Sequence, residues 1–341
     1  MRILLTADPE LPVPPGGYGG IERLVDMWRC ELRARGHTVG LAARRDSTAK
    51  VDRLFPWPGA RSQSAPDTVR NSLALWRSAR AFRADVVHSS SRLIYTLPLL
   101  LAGIPVVQTY HRFPGPRQVR IAARLGRRLV FTGVSEFIAQ LGRGGGGRWV
   151  AVPNCIDIDR LDYRSAVAPD APLVFLSRIE RVKGAREAIA IARAAGRPLI
   201  LAGNHSADAD ATRYWREEIA PLVDGRLVTY AGAVDDAQKS ALLGRAAALL
   251  VPVQWDEPFG LVFAEALACG TPVIASPRGA LPEIVREAEN GFLVRTRAEG
   301  VAAVRAVPGL SRAFCRRDAE ARFSPRAAVD RFLTVYDEVR R

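Results

Sequence analysis

The sequence has 341 residues, of which 48% are hydrophobic and 25% are charged. This composition excludes a disordered chain, and the length is too great for one ordinary hydrophobic core, so we expect two domains. The four cysteines form no C-x-x-C pair and no zinc spacing, and the N-terminal apolar run is too short for a signal peptide. We therefore expect a reduced, cytoplasmic protein.

The positive charge is unevenly distributed along the chain. Residues 1–155 hold 23 Lys and Arg against 10 Asp and Glu, which gives +13 of the total net charge of +14. A first half this basic is expected to attract an anionic partner, whether a phosphorylated acceptor, an acidic membrane or a nucleic acid. The alternative is a plain solvated surface in an arginine-rich bacterial proteome.

The first half alternates apolar strands with amphipathic helices. After an apolar run and a glycine-rich loop, the helical spacing of Leu24, Val25, Trp28 and Leu32 predicts a helix that ends near Gly36. Strands are predicted at "TVGLAAR", "DVVHSS", "IPVVQTYH" and "LVFTGVS", with helices near residues 71–83 and 118–126. This rhythm indicates a parallel sheet covered on both faces.

A second series of strands and helices begins near residue 171. Strands are predicted at "PLVFLSR", "PLILAG", "RLVTYAGAV" and "TPVIAS", and helices at "REAIAIARAAG" and "AQKSALLGRAAALL". The predicted domains are residues 1–155 and 171–325, followed by an amphipathic helix over 326–341 for which packing back on the first domain is one option. We expect two Rossmann-like, doubly wound domains facing a cleft, with ligands beyond the carboxyl ends of the strands.

The stretch "EPFGLVFAEALACGTPVIA", residues 257–275, carries the strongest functional signal. Pro258 suits a first helical turn, so Glu257 is expected just before a helix and Glu265 one to two turns inside it. The free N–H groups of Phe259, Gly260 and Leu261 would form an anion site at the helix N-terminus. Carboxylates on both sides of an anion site suit a nucleotide sugar, whose hydroxyls flank a diphosphate. The alternative is two acids on an ordinary solvated helix start.

Cations and glycines elsewhere support a diphosphate ligand. Arg178 and Lys183 follow a predicted strand, and Lys183 is one of only three lysines against 46 arginines. A lysine in so arginine-rich a chain suggests that a compact ammonium was selected, although chance could also place it there. Gly19 and Gly20 in "PPGGYGGIERL" permit close approach of the backbone to a diphosphate, but alone they predict only a loop-to-helix turn.

Together these pieces resemble the retaining GT-B glycosyltransferases of family four. The stretches that carry the resemblance are "GGIERLVDMWRCELRARGHTV", "VPNCIDID", "SRIERVKG" and "EPFGLVFAEALACGTPVIASPRGALPEIV". The resemblance implies a GT-B fold and the retaining transfer of a hexosyl group from a nucleoside-diphosphate sugar, with no metal ion and no cofactor. The expected acceptor is a small molecule, a glycan or a glycolipid, and the basic first domain favours an anionic or lipid-linked one.

The resemblance also implies roles for particular residues. Arg178 and Lys183 would bind the donor diphosphate, Glu265 the ribose hydroxyls and Glu257 the transferred sugar. His111, in "TYHRF", would face the reacting sugar. The remaining donor contacts would come from backbone groups, which are those of Gly19, Gly20, Phe259, Gly260 and Leu261. The resemblance leaves the base, the sugar and the acceptor undetermined.

Two features depart from the family pattern. The chain has Asn154-Cys155 where the family usually has Asn-Gly, so a residue with a side chain must adopt a turn that glycine favours. This departure puts the hinge geometry in doubt. The second departure is the glycine-rich loop "GRGGGGR" at 142–148, which is expected to be unusually flexible and for which the sequence predicts no function.

A basic helix face is predicted between residues 117 and 128. Arg117, Arg120, Arg124 and Arg127 recur at intervals of three to four residues, while Ile121 and Leu125 are expected to lie toward the protein. This face is a candidate for docking an anionic acceptor or the inner membrane surface, which makes peripheral membrane association a further expectation. A solvated helix face is the alternative.

Other functions fit the residues less well. A glycoside hydrolase uses two carboxylates but needs no adjacent cations or helix N-terminus. A nucleotide-sugar epimerase or a phosphorylase of the same fold is nearer, although a phosphorylase would need a lysine for pyridoxal phosphate. A basic nucleic-acid-binding protein is disfavoured because aromatic residues make up only 7% of the chain and no recognition motif is present.

Overall fold

The computed structural model describes residues 1–17, 19–206 and 208–341. These residues form two compact units. The N-terminal unit contains Met1–Cys155 together with Pro325–Arg341, and the C-terminal unit contains Ile156–Ser324. Tyr18 of the glycine-rich loop and Ala207 of the "GNHSADADATRYW" loop lie outside the described residues.

The N-terminal unit is built on a parallel sheet of seven strands with the order β3-β2-β1-β4-β5-β6-β7. Its strands are β1 Arg2–Thr6, β2 Thr38–Ala43, β3 Arg53–Pro56, β4 Val86–Ser89, β5 Val106–Tyr110, β6 Leu129–Gly133 and β7 Arg148–Ala151. Its first five helices are α1 Gly20–Ala34, α2 Ala65–Phe82, α3 Leu97–Leu101, α4 Pro116–Leu125 and α5 Glu136–Arg143.

The C-terminal unit has a parallel sheet of six strands with the order β10-β9-β8-β11-β12-β13. Its strands are β8 Leu173–Leu176, β9 Leu199–Ala202, β10 Val228–Gly232, β11 Ala248–Val251, β12 Val273–Ala275 and β13 Gly291–Leu293. Its helices are α6 Ala185–Ala194, α7 Ala209–Tyr214, α8 Asp236–Arg245, α9 Leu261–Ala268, α10 Leu281–Ile284, α11 Arg297–Ala306 and α12 Arg312–Phe323.

Both sheets reverse their strand order beside the first strand of the unit. In the N-terminal unit the chain runs from β1 through β2 to β3 and returns to pair β4 with β1. In the C-terminal unit it runs from β8 through β9 to β10 and returns to pair β11 with β8. At such a switch point the two loops after the adjacent strands diverge, which leaves a crevice at the carboxyl ends where ligands bind.

Local sequence explains the elements that position these loops. The central strands β4 and β8 are buried along their whole length, and β8 is a continuous apolar run, whereas β4 also buries the polar residues His88 and Ser89. Side-chain caps begin several helices, and Asp235 forms a reciprocal capping box with Gln238 at the start of α8.

The last helix, α13 Pro325–Arg340, belongs to the N-terminal unit and packs against α1. It places Phe332 edge-on to Trp28, with the ring centroids 4.8 Å apart. Tyr336 Oη lies 2.6 Å from His88 Nδ1, and the other ring nitrogen of His88 lies 2.7 Å from Thr109 Oγ1. A buried polar chain therefore joins the C-terminal helix to the middle of the N-terminal sheet.

A single arginine organises one side of the C-terminal unit. Arg312, on α12, donates hydrogen bonds to the backbone carbonyls of Arg164, Gly244 and Ala246 and to Thr271 Oγ1. Burial lowers the pKa of this guanidinium. Its donors satisfy carbonyl groups that would otherwise be buried without partners.

The described structure confirms the predicted architecture of two doubly wound α/β domains with a C-terminal helix. One helix prediction was too long, because α8 ends at Arg245 and the apolar residues Ala248–Val251 form the central strand β11. A proline prediction was also wrong. Helix α9 begins at Leu261, so Pro258 precedes it and does not occupy its first turn. Strands β3, β7 and β13 were not predicted from the sequence, because each lies at an edge of its sheet and has at least two residues that are not fully buried.

We predict that Tyr336→Phe destabilises the protein by about 1–3 kcal/mol, because it leaves a buried ring nitrogen of His88 without its partner. Urea unfolding followed by circular dichroism measures the loss. Tyr163→Phe is the matched control, since Tyr163 is 39% exposed. Equal stability of the two variants would contradict a structural role for the Tyr336–His88 bond.

Candidate active site

An ion pair spans the switch point of the C-terminal unit. Lys183 lies in the loop after β8, and Glu257 lies in the loop after β11. Lys183 Nζ is 2.7 Å from Glu257 Oε2, and only 11% and 13% of the two side chains are exposed. Two residues 74 positions apart in sequence are thus brought together where the fold leaves a crevice.

Trp255 completes this pair. Its Nε1–H donates to Glu257 Oε2 over 3.0 Å, and Lys183 Nζ lies 4.4 Å from the centre of its ring. The indole therefore orients the carboxylate through a hydrogen bond and the ammonium through a cation–π contact. Sequence reasoning missed Trp255, although its place two residues before Glu257 in "QWDEPFG" offered a signal.

The second glutamate of the motif has a lysine of its own. Lys239 Nζ, from α8, lies 2.6 Å from Glu265 Oε1 on α9, and 3.3 Å from Asp236. The side chains of Lys239 and Glu265 are 20% and 17% exposed. Burial opposes the charge on Lys239, but the contacts with Glu265 and Asp236 together outweigh it, so the pKa of Lys239 is raised. The scarcity of lysine in the sequence was a signal for Lys239 as well as for Lys183, but a role was predicted only for Lys183.

Arg178 is separate from both pairs. It follows β8, and its Nη1 lies 2.7 Å from Glu180 Oε1, with 54% of its side chain exposed. Its guanidinium is at the correct end of the sheet for a phosphate contact, but the structure pairs it with a neighbouring acid. Exposure leaves the side chain room to change its partner.

The predicted anion site at residues 259–261 lies at the start of α9. Gly260 caps the helix with a φ of 90°, and a Cβ there would lie 2.5 Å from Phe263 and 3.2 Å from the side chain of Glu257. Only glycine allows this tight approach to Glu257. Phe259 is buried and packs edge-on to Phe323, so its ring belongs to the core.

A cavity of about 680 Å³ lies beside Asp256, the residue before Glu257, and its lining includes neither Lys183 nor the two glutamates of the motif. The loops after β11, β12 and β13 line it, and its residues include Pro252, Gln254, Asp256, Ser276 and Arg278. This volume is in the range of small-ligand sites.

Three residues of the predicted catalytic and donor sites belong to the N-terminal unit, and they are Gly19, Gly20 and His111. Gly19 has a φ of 152° and precedes α1, which begins at Gly20. A Cβ on Gly19 would lie 2.8 Å from Pro15 and 3.0 Å from the carboxylate of Glu22, so no larger residue fits. The structure thus explains the first glycine as a close packing point.

His111 lies just past β5, and its side chain has no hydrogen-bond partner among the described residues. Both of its ring nitrogens are buried and make no hydrogen bond among the described residues. Burial, and next the nearby Arg112, lower the pKa of His111 to about 3. Its ring stacks on Trp28 with centroids 6.1 Å apart, and Trp28 also stacks on His88. A neutral imidazole with two free nitrogens can exchange hydrogen bonds with hydroxyl groups.

The basic face of α4 differs from its prediction in two ways. Ile121 and Leu125 were expected to lie toward the protein, but they are 59% and 39% exposed, and Val119 and Ala122 face the core instead. The helix ends at Leu125, so Arg127 follows it and is not on its face. Four exposed arginines surround these apolar side chains, and none of them has an ion-pair partner in the described parts of the chain. They are Arg117, Arg120, Arg124 and Arg127.

The structure therefore brings together Lys183 with Glu257, and pairs Glu265 with the unpredicted Lys239. Arg178 lies at the same sheet end with a different partner, and His111, Gly19 and Gly20 are in the other unit. Among the described residues, no helix is long and apolar enough to cross a membrane.

Two family models match the chain. The model for glycosyl transferases group 1 matches residues 165–307, and the model for glycosyltransferase family 4 matches residues 18–160. The chain is a glycosyltransferase and belongs to family 4, with the GT-B fold.

Relatives and solved structures agree with this assignment. A glycogen synthase of Mycobacterium tuberculosis is 27% identical and aligns with 90% of this chain and 86% of its own length. A phosphatidyl-myo-inositol mannosyltransferase of the same species is 26% identical over 86% of this chain and 82% of its own. AviGT4, a glycosyltransferase involved in avilamycin A biosynthesis, superposes with a TM-score of 0.75 at 26% identity, over 99% of this chain and 98% of its own. Anabaena HepE in complex with UDP has the same fold, with a TM-score of 0.74 at 20% identity, covering 99% of this chain and all of its own.

The two buried histidines predict a pH dependence of stability. Burial lowers the pKa of both His88 and His111 to about 3, whereas an unfolded histidine binds a proton near pH 6.5. The unfolded state therefore binds more protons as the pH falls below 6.5, and each histidine lowers the unfolding free energy by up to about 1.4 kcal/mol per pH unit.

Replacing one of them should make this dependence shallower. We expect His111→Asn to lose less stability than the wild type between about pH 7 and pH 5, as measured by urea unfolding. His37→Asn is the control and should change the pH dependence less. A variant with an unchanged slope would show that His111 protonates in the folded state.

Proposed function

We propose that the chain is a retaining, metal-independent hexosyltransferase whose nucleoside-diphosphate sugar binds at the switch point of the C-terminal unit. The observation that supports this most strongly is the partly buried Lys183–Glu257 pair between the loops after β8 and β11. An ammonium and a carboxylate held beside a helix N-terminus suit the junction between a diphosphate and a sugar. The ammonium can bind a phosphate oxygen, and the carboxylate can accept hydrogen bonds from sugar hydroxyls.

In the proposed complex each glutamate keeps a separate task. Glu257, oriented by Trp255, would hold the transferred sugar. Glu265, oriented by Lys239, would accept hydrogen bonds from the ribose hydroxyls. Lys183 would share its charge with the diphosphate, and Arg178 would turn from Glu180 to join it. The cavity beside Asp256 offers room for the sugar end of the donor.

The reaction would replace one bond at the anomeric carbon by another. The bond from that carbon to the phosphate oxygen breaks, and its electron pair leaves with the nucleoside diphosphate. The acceptor oxygen forms the new bond on the same face, and its proton passes to a phosphate oxygen. Lys183, Arg178 and the N–H groups at the start of α9 would stabilise the charge that grows on the leaving group, without a metal ion or cofactor.

The relatives suggest which donors to test first. HepE has been solved with UDP and glucose and with UDP-glucose, and AviGT4 and the mycobacterial relatives are themselves glycosyltransferases or synthases of sugar polymers. We therefore propose UDP-glucose as the first donor, with guanosine and adenosine diphosphate sugars as comparisons.

We further propose that the α4 face attaches the enzyme to an anionic membrane surface. The exposed side chains of Ile121 and Leu125 supply an apolar contact, and the surrounding arginines supply charge. This combination is the pattern of an interfacial helix, and it favours a lipid-linked acceptor.

The donor assignment predicts a selective loss of ribose recognition. Wild-type protein should bind UDP, GDP or ADP about tenfold more tightly than the corresponding 2′-deoxynucleotide, because the deoxy form leaves a buried acceptor of Glu265 unpaired. Glu265→Gln and Lys239→Gln should reduce that ratio, and Lys239→Arg should restore it. Isothermal titration calorimetry measures all of these affinities.

Arg178→Gln is the matched control for this experiment. It should weaken the ribo- and deoxynucleotides equally, because a phosphate contact does not read the sugar. Wild-type protein that binds no nucleoside diphosphate would refute the donor site. Turnover of a nucleotide sugar to its epimer without an acceptor would favour the epimerase alternative instead.

The membrane assignment predicts salt-sensitive binding to vesicles. Replacing Arg117, Arg120, Arg124 and Arg127 by Gln should lower binding to phosphatidylglycerol vesicles about 1,000-fold, at about 1 kcal/mol for each of the four charges near the surface. Ile121→Ser with Leu125→Ser should weaken binding without changing its salt dependence. Vesicle sedimentation measures both effects. Equal binding to uncharged phosphatidylcholine vesicles would contradict an electrostatic attachment.

A further inference from the structure

The switch point of the N-terminal unit holds three carboxylates. Asp8 follows β1, Glu10 lies two residues further on, and Glu22 lies in the first turn of α1. None of them has an ion-pair partner among the described residues, although the unit carries 27 basic and 13 acidic residues and a net charge of +14. Unpaired acids in so basic a unit call for a physical reason.

The carboxylates act on one another. Burial, and next the charge of Glu10, raise the pKa of Asp8 to about 6, and burial also raises the pKa of Glu22. Glu22 is only 6% exposed. The positive groups whose charge lowers the pKa of Asp8 and Glu22, Arg92 and Arg112 respectively, are both exposed at the surface.

The end of β4 connects Asp8 to further polar atoms. Asp8 Oδ1 accepts a hydrogen bond from the backbone N–H of Arg92, and the N–H of Ser90 donates to the carbonyl of Thr6. Ser90 thus sits between the ends of β1 and β4. Ser90 is 6% exposed, and its hydroxyl has no hydrogen-bond partner among the described residues.

Gln108 of β5 adds a second buried atom without a partner. Its amide donates to the carbonyl of Ser91 over 2.9 Å, while its Oε1 accepts nothing within the described chain. Gln108 is 2% exposed and lies in register with Ser89. Buried polar atoms are normally hydrogen-bonded, so two such orphans beside one crevice indicate a place for a ligand.

The chemistry of these groups selects the kind of ligand. Two carboxylates and the Gln108 carbonyl only accept hydrogen bonds, and the Ser90 hydroxyl can do either. A ligand that satisfies them must bring donors, which hydroxyl and amino groups supply. A phosphate brings acceptors and negative charge, so the buried acids would repel it.

We propose that this crevice binds a hydroxyl-rich ligand without negative charge at its bound end, such as a neutral or amino sugar, through Asp8, Glu22, Ser90 and Gln108. The proposal rests on the proposed function only in identifying that ligand as the acceptor. If the acceptor is lipid-linked, its negatively charged group must therefore lie outside this crevice, and only its uncharged sugar part binds inside.

Three matched sugars test the proposal on the full-length protein. Glucose, glucosamine and glucose 6-phosphate share one ring and differ in charge, and saturation-transfer NMR measures their binding. We expect glucosamine and glucose to bind more tightly than glucose 6-phosphate. Asp8→Asn should weaken glucosamine about tenfold and reduce the preference over the phosphorylated sugar, because it removes a charged acceptor. Asp46→Asn, an exposed acid paired with Arg44, is the control and should change nothing.

Stability supplies a second measurement. Because the pKa of Asp8 is raised in the folded state, its ionised form destabilises the protein once the pH exceeds the unfolded value near 4, and fully above about 6. Asp8→Asn should therefore raise the Tm at pH 7 while it weakens sugar binding, which a purely structural residue would not do. Ser90→Ala should weaken binding in a fold of unchanged stability.

Each failure has a distinct signature. Tighter binding of glucose 6-phosphate than of glucose, no binding of the uncharged sugar at high millimolar concentration, or unchanged binding in Asp8→Asn would each overturn the proposal. If the sugar-binding proposal fails in this way but the same protein binds UDP, the proposed donor site is still supported and only the acceptor inference is wrong. If sugars bind and nucleotides do not, the proposed function fails and the crevice remains.

Discussion

The reversal of strand order in each sheet is the constraint on which every site in this molecule depends. Because successive strands are parallel and their crossovers pass over opposite faces, the loops after β1 and β4, and after β8 and β11, must diverge. Backbone pairing cannot fill the space between them. Side chains from distant parts of the sequence meet there. The two units share this geometry, but their crevices differ in whether the acidic side chains are paired with lysines.

That contrast separates the two crevices. In the C-terminal unit each glutamate of the motif is paired with a lysine, so the acids are held in place before a ligand arrives. In the N-terminal unit the acids have no such counterions among the described residues, and the pKa values of Asp8 and Glu22 are raised. A compensated pair is suited to a ligand that carries its own charges, whereas uncompensated acceptors are suited to a ligand that brings donors.

The sequence was sufficient for the architecture and for the residues of one motif, because both are local. Alternating strand and helix patterns predicted two parallel sheets, and the spacing of Glu257 and Glu265 marked a helix start. It was not sufficient for the partners of those residues. Lys239 and Trp255 reach the glutamates through tertiary packing, and the apolar run at Ala248–Val251 read as helix until its place at the centre of the sheet was known. The acids and the polar side chains around them come from separate segments of the chain, so no local sequence pattern predicts that they lie together.

The scarcity of lysine has a practical consequence. A reagent that acylates or reductively methylates primary amines can modify only Lys50, Lys183, Lys239 and the chain's α-amino group, while the 46 guanidinium groups that keep the protein cationic stay untouched. Lys50 is exposed, and the other two lysines are tethered to carboxylates. Mass spectrometry can measure how far the peptides with Lys183 and Lys239 are modified, relative to the exposed Lys50 as an internal standard. The extent of modification would therefore report whether a ligand occupies the crevice of the C-terminal unit.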